Sequence, residues 1–168
     1  MRRNNFLFGL IITVLFVVIQ STLLQKISVY GVVPDIALIM IVFISNSCGA
    51  MKGQMLGFIA GLIQDFLSAG PLGFNALVRT VVGFFFGRMK GKLFLDSILL
   101  PVLFIIVASL IKEAMTALIG LIFMAESNLI VFGRDFLIEL GMNAFLAPFC
   151  FALLKLLKIY RYNDKDGY

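Results

Sequence analysis

Six ionisable residues fall at mid-membrane depth or towards the outer end of long apolar stretches: Asp35, Asp65, Arg79, Lys112, Glu113 and Glu139. A charge in an apolar medium is costly, so each must find a partner, take up or lose a proton, or reach a polar surface. Four acids and two bases cannot all pair with one another as ions. Adjacent helix positions point about 100° apart, so Lys112 and Glu113 cannot both face the same neighbour. The surplus of carboxylates would suit an outward-facing pocket, a proton path or a docking surface for another membrane protein. Catalysis has little to build on. The chain has no His, hence no H-E-x-x-H pair, and it carries no nucleotide-binding glycine loop. Cys48 and Cys150 lie far apart, in or beside apolar segments, without the spacing of a disulfide or metal site. We expect no catalytic residue, cofactor or metal site.

The elements that must position these groups follow from composition. Of 168 residues, 61% are hydrophobic and 14% charged, too little polarity to surface a soluble domain of this size. Apolar stretches long enough to cross a bilayer recur near 6–24, 32–48, 50–68, 72–88, 98–123 and 136–157. The separators carry helix-stop chemistry: Tyr30-Gly31, Asn46 to Gly49, Ala69-Gly70-Pro71, Gly91-Lys92, and Glu126 to Asn128. Met1-Arg2-Arg3 before the first run imitates a secretory leader, but no small-residue cleavage site follows, and it reads as a retained helix. Pro34 suits a helix start, and Pro148 is expected to kink the sixth span. The expected fold is an all-α membrane protein: one domain over residues 1–168, a bundle of six transmembrane helices.

The basic residues orient it. A net charge of +5 would suggest nucleic acid in a soluble protein, but here it reads as topology. With the N-terminus inside, Arg2, Arg3, Lys52, Arg88, Lys90, Lys92, Lys155, Lys158, Arg161 and Lys165 are cytoplasmic, against Lys26 and Arg134 outside. That bias requires an even number of spans and puts both termini in the cytoplasm. The tail at 155–165 would also suit anionic lipid headgroups. Arg88, Lys90 and Lys92 form a basic cytoplasmic edge, a candidate partner contact or ordinary solvated charge.

Two glycine lines run through the middle spans. Gly49, Gly53, Gly57 and Gly61 recur every fourth residue and lead to Asp65; Gly83, Gly87 and Gly91 recur likewise and are led by Arg79. Residues four apart share a helix face, so each helix offers a groove for close packing. Folded as a hairpin about Ala69-Gly70-Pro71, the two helices bring Asp65 near the level of Arg79. An Asp65–Arg79 clamp is therefore expected, as structural glue or as a substrate contact; the glycines read as packing devices.

Residues 20–91 carry an ordered set: Gln20-Ser21-Thr22-Leu23-Leu24, Pro34-Asp35, the line Gly49, Gly53, Gly57-Phe58, Gly61-Leu62, Asp65, and Pro71-Leu72-Gly73. This set resembles the rod shape-determining MreD family, with Pro34, Asp35, Gly49, Gly53, Gly57, Gly61 and Asp65 as the matched positions. The resemblance implies a non-catalytic subunit of the bacterial wall-elongation machinery in the cytoplasmic membrane. It implies MreC as the chief partner, with the filament MreB, the polymerase RodA and a class B penicillin-binding transpeptidase beside it. It also implies a fold similar to the six-helix substrate-binding subunits of energy-coupling-factor vitamin transporters. The rival reading is such a vitamin-binding subunit. It expects one pocket lined by Asp35, Asp65, Arg79, Lys112 and Glu139, and small alanine motifs on the first helix. That helix is bulky instead, reading Phe6-Leu7-Phe8-Gly9-Leu10-Ile11-Ile12.

Overall fold

The structure is a computed structural model that describes residues 3–22, 26, 28–68, 70–90, 99–123 and 133–156. Six helices account for most of them: α1 (Arg3–Thr22), α2 (Ile36–Cys48), α3 (Ala50–Leu67), α4 (Phe74–Arg88), α5 (Leu99–Phe123) and α6 (Arg134–Leu156). Among the described residues the only β pairing is the isolated bridge of Val29 with Val32. Each apolar run of the sequence is a helix, and the bounds move by a few residues. α2 starts at Ile36 rather than 32, because residues 29–32 form a tight turn, with Tyr30 and Gly31 both at positive φ. Pro34 thus precedes the helix instead of opening it, and Asp35 is the N-cap. α6 runs through Pro148 as a single helix.

α2 is the axis of the bundle. Its residues Ala37 to Ile44 are apolar on every side and essentially fully buried, and α2 touches all five other helices. A helix that is hydrophobic all round belongs in the middle. The surrounding helices bury one stripe and expose the other: Leu7, Ile11 and Leu15 of α1, Met51, Met55 and Phe58 of α3, and Leu118, Leu121 and Ile122 of α5 face outward. Three hydroxyls within this apolar setting are satisfied by the turn below, while Ser45 and Ser109 Oγ are buried without a hydrogen-bond partner among the described residues. Thr13, Ser47 and Thr80 donate to the carbonyls of Gly9, Phe43 and Ala76 at 2.8, 2.8 and 2.6 Å.

Among the described residues two helices, spanning Leu99–Ile122 and Arg134–Leu156, are long and apolar enough to cross a membrane; Phe6–Thr22 and Ile36–Cys48 are shorter apolar helices. α2 and α3 are separated by Gly49 alone, at φ 93° and ψ 167°, a conformation open to glycine and hardly to any other residue.

Candidate functional site

The glycine lines meet as a seam. A β-carbon on Gly53 would overlap the carbonyl of Gly83, and one on Gly83 the carbonyl of Gly53. A β-carbon on Gly57 would overlap the carbonyl of Arg79, one on Gly61 would lie 2.5 Å from Ala76 Cα, and one on Gly87 would lie 2.5 Å from Ala50 Cα. Each step of four up α3 meets a step of four down α4, so the two backbones touch along the length of the hairpin. Each glycine forfeits roughly 1 kcal/mol of helix propensity, and backbone approach without a Cβ is what that loss makes possible. Gly49 lies at the end of this line, with Lys90 Cδ 3.4 Å from the position of its missing Cβ. Gly91 and Lys92 lie outside the described residues.

The expected Asp65–Arg79 clamp is not formed. Asp65 instead caps α4. One carboxylate oxygen, Oδ1, accepts from the amide of Asn75 and from its side-chain Nδ2, both at 2.9 Å. Oδ2 accepts from the amides of Gly73 at 2.9 Å and Ala76 at 3.1 Å. The N-cap position, Gly73, has no side chain to offer, and the first amides of a helix lack partners of their own. A carboxylate arriving from α3 satisfies them and sits favourably at the positive end of the helix dipole. With Asp65 taken, Arg79, four residues beyond Asn75, turns toward α2.

There Arg79 meets Asp35. A single nitrogen, Nη2, lies 2.9 Å from Asp35 Oδ1 and 3.1 Å from Oδ2, and both side chains are almost wholly buried. Asp35 gathers more. Its Oδ1 also accepts from the Leu38 amide at 2.9 Å, the N-cap bond of α2, and from Gln20 Nε2 at 3.3 Å. Its Oδ2 accepts from Lys112 Nζ at 3.3 Å, and Lys112 also donates to Glu139 Oε1. Asn143 closes the ring: its Oδ1 accepts the Asp35 amide at 2.7 Å, and its Nδ2 donates to Glu139 Oε1 at 3.2 Å. Gln20 Oε1 accepts the Ala37 amide at 3.0 Å, so α1 holds the first turn of α2 at two points.

The cluster thus joins α1, α2, α4, α5 and α6, and its two acids and two bases balance: Asp35 and Glu139 against Arg79 and Lys112. Asp35 has hydrogen-bond partners as well as counter-charges, which favours a buried ion pair, whereas Arg79 Nε and Nη1 are buried without a hydrogen-bond partner among the described residues. Among the sequence candidates, Asp35, Arg79, Lys112 and Glu139 come together, while Asp65 and Glu113 do not. Glu113 lines a cavity of about 410 Å3 between α5 and α6, with Gly133, Arg134, Asp135, Phe136 and Glu139. Of the five residues expected to line one pocket on the vitamin-binding reading, Asp35, Arg79, Lys112 and Glu139 come together and Asp65 stands apart. Asp65 is spent on α4, and Asp35, Arg79 and Lys112 bind one another. Gln20 and Asn143 were not singled out as members from the sequence; the signal for Asn143 was its place four residues after Glu139, on the same helix face.

The basic residues Arg88 and Lys90 lie at the opposite end of α4 from this cluster, where Lys52 also sits, its Nζ 5.8 Å from the Phe6 ring centroid.

The family model of the rod shape-determining protein MreD matches residues 1–157. No curated protein and no solved structure matches the chain.

Proposed function

Because the chain belongs to the MreD family of rod shape-determining proteins, we infer that it serves as a non-catalytic subunit of the wall-elongation machinery in the bacterial cytoplasmic membrane, where it docks MreC. All six helices cross the bilayer in this reading, with both termini in the cytoplasm, and the bundle is similar to the substrate-binding subunits of energy-coupling-factor transporters. MreB, RodA and a class B penicillin-binding transpeptidase are the further partners, reached directly or through MreC.

The observation that carries the reading is the distribution of polarity. Large apolar side chains face outward on the surrounding helices, while Asp35, Arg79, Lys112 and Glu139 turn inward and neutralise one another. An apolar exterior of this extent suits lipid and the apolar helix of a membrane partner. The gathering of Lys52, Arg88 and Lys90 at one end, and of acids at the other, agrees with the positive-inside orientation. A scaffold needs a bundle that holds its shape. Charges that pair with one another across five helices and a glycine seam supply that.

The test is affinity purification of the tagged full-length chain from native membranes in mild detergent, with identification of the proteins that co-elute. Recovery of MreC, with or without wall-synthesis enzymes, supports the scaffold. Recovery of paired ATPases with a coupling membrane subunit overturns it in favour of transport.

A further inference from the structure

The ion pairs and caps leave three buried polar atoms of the α3–α4 hairpin unanswered. Arg79 commits one nitrogen, Nη2, to both oxygens of Asp35. Its Nε and Nη1 are buried with no hydrogen-bond partner among the described residues, and so is Oε1 of Gln64 on α3. The first two are donors and the third is an acceptor. A polar atom unmet in an apolar interior is costly, and more so on a charged group.

The glycine seam fixes where these atoms stand. Its contacts set the register of the two antiparallel helices: Gly53 meets Gly83, Gly57 meets the Arg79 carbonyl, and Gly61 meets Asn75 and Ala76. Gln64 lies seven residues beyond Gly57 on α3, about 10.5 Å along the axis and within about 20° of the same direction. That direction is the one pressed against α4. α2 flanks it, since a β-carbon on Gly53 would also meet the Ser45 side chain. Gln64 therefore faces the groove between α4 and α2, and this is the groove that the Arg79 side chain crosses to reach Asp35.

The two side chains also lean toward each other. On a helix, side chains tilt toward the N-terminus. α4 begins at the end of the hairpin where α3 finishes, so Arg79 tilts toward the joining turn and Gln64 tilts away from it. Their ends converge over the two helical turns between them, yet no hydrogen bond joins them directly. A group that links them must accept from a guanidinium and donate to a carboxamide oxygen. Asp35 and Glu139 already balance Arg79 and Lys112, so an added ion would unbalance a buried cluster. Water has both capacities, no charge and the smallest size.

We propose that a buried water molecule bridges Arg79 and Gln64, accepting from one of the two remaining guanidinium nitrogens and donating to Gln64 Oε1. Through it α3, which gives no side chain to the ion-pair cluster, joins that cluster, and Gln64 becomes the residue that holds it there. The proposal rests on packing within this chain and not on its assignment to the wall-elongation machinery.

The test is proton-detected solid-state NMR on the full-length chain in lipid bilayers, following short-range magnetisation transfer from water to the Arg79 guanidinium. The guanidinium signals are assigned through the side-chain carbons of the same residue. In the parent chain they should receive water magnetisation that the amides of Met40 and Ile41, equally buried, do not. Gln64→Met keeps the length of the side chain and removes the acceptor. It should lower the transfer about tenfold, the factor carried by one hydrogen bond of ordinary strength. Gln54→Met, at the exposed start of α3, should leave it unchanged. The comparison within the parent decides the matter even if Gln64→Met folds poorly. A guanidinium as dry as the Met40 and Ile41 amides would overturn the proposal, as would transfer undiminished in Gln64→Met.

Discussion

The α3–α4 and α5–α6 hairpins solve the same packing problem with opposite means. α3 and α4 touch backbone to backbone, through glycines whose missing β-carbons are occupied by the partner's main chain. α5 and α6 are longer, bury only 22% of their most apolar stretches each, and meet at their outer ends across a cavity and an ion pair. On α6, a β-carbon added to Gly141 would meet nothing within 4 Å. The seam of small residues leaves no freedom to slide or part, because each carbonyl on one side fills a specific gap on the other. Contact through long side chains tolerates adjustment. One hairpin fixes where Arg79 stands; the other brings Lys112 and Glu139 together on long side chains.

This contrast makes graded predictions. Asp35→Leu, which leaves the Arg79 guanidinium buried without its counter-charge, should cost about 3–5 kcal/mol in a reversible unfolding measurement in detergent micelles. In a double-mutant cycle, Asp35 and Arg79 should show strong coupling, while Asp65 and Arg79 should be additive within about 0.5 kcal/mol. Gly57→Val should destabilise by about 3 kcal/mol through overlap with the Arg79 carbonyl, read by the same unfolding assay. Loss of the α4 cap in Asp65→Ala should cost about 2 kcal/mol and raise amide exchange at Gly73, Asn75 and Ala76. The smallest effect has the opposite sign. Gly141→Ala should stabilise by up to about 1 kcal/mol from helix propensity. Equal losses at Gly57 and Gly141 would erase the distinction between the hairpins.

Much of this architecture is written in the sequence as pattern. The six apolar runs become helices because nothing within them competes, and the four-residue glycine interval finds its partner because both lines obey the same period. The pairing of charges was not legible in the same way. Depth alone places Asp65 beside Arg79, but the first amides of α4 lie nearer to that carboxylate and have no other partner. Asp35 was visible as a charge at a helix start, yet what it binds depends on how α2, α4 and α5 are rotated about their axes. Hydropathy does not report that rotation. Gln20 and Asn143 carry no charge, so the cost argument that singles out the ionised residues passes over them, although they complete the network. The start of α2 moved because Tyr30 and Gly31 form a turn, a local preference stronger than the hydropathy of Val32 and Val33.

The span of Asp35's partners along the chain has a consequence for synthesis. Its ligands include Gln20, fifteen residues earlier, Arg79, forty-four residues later, and Asn143, more than a hundred later. At the usual rate of translation, Arg79 emerges roughly 2–9 s after Asp35, and Asn143 roughly 5–22 s after it. For that interval the nascent chain holds a carboxylate whose only companions are an amide side chain and its own helix start. The carboxylate at the head of α2 must wait, sheltered by the insertion machinery or at the membrane surface, until the glycine hairpin delivers its arginine. α6, the last of the six helices, then brings Glu139, the second acid, which with Asp35 balances Arg79 and Lys112.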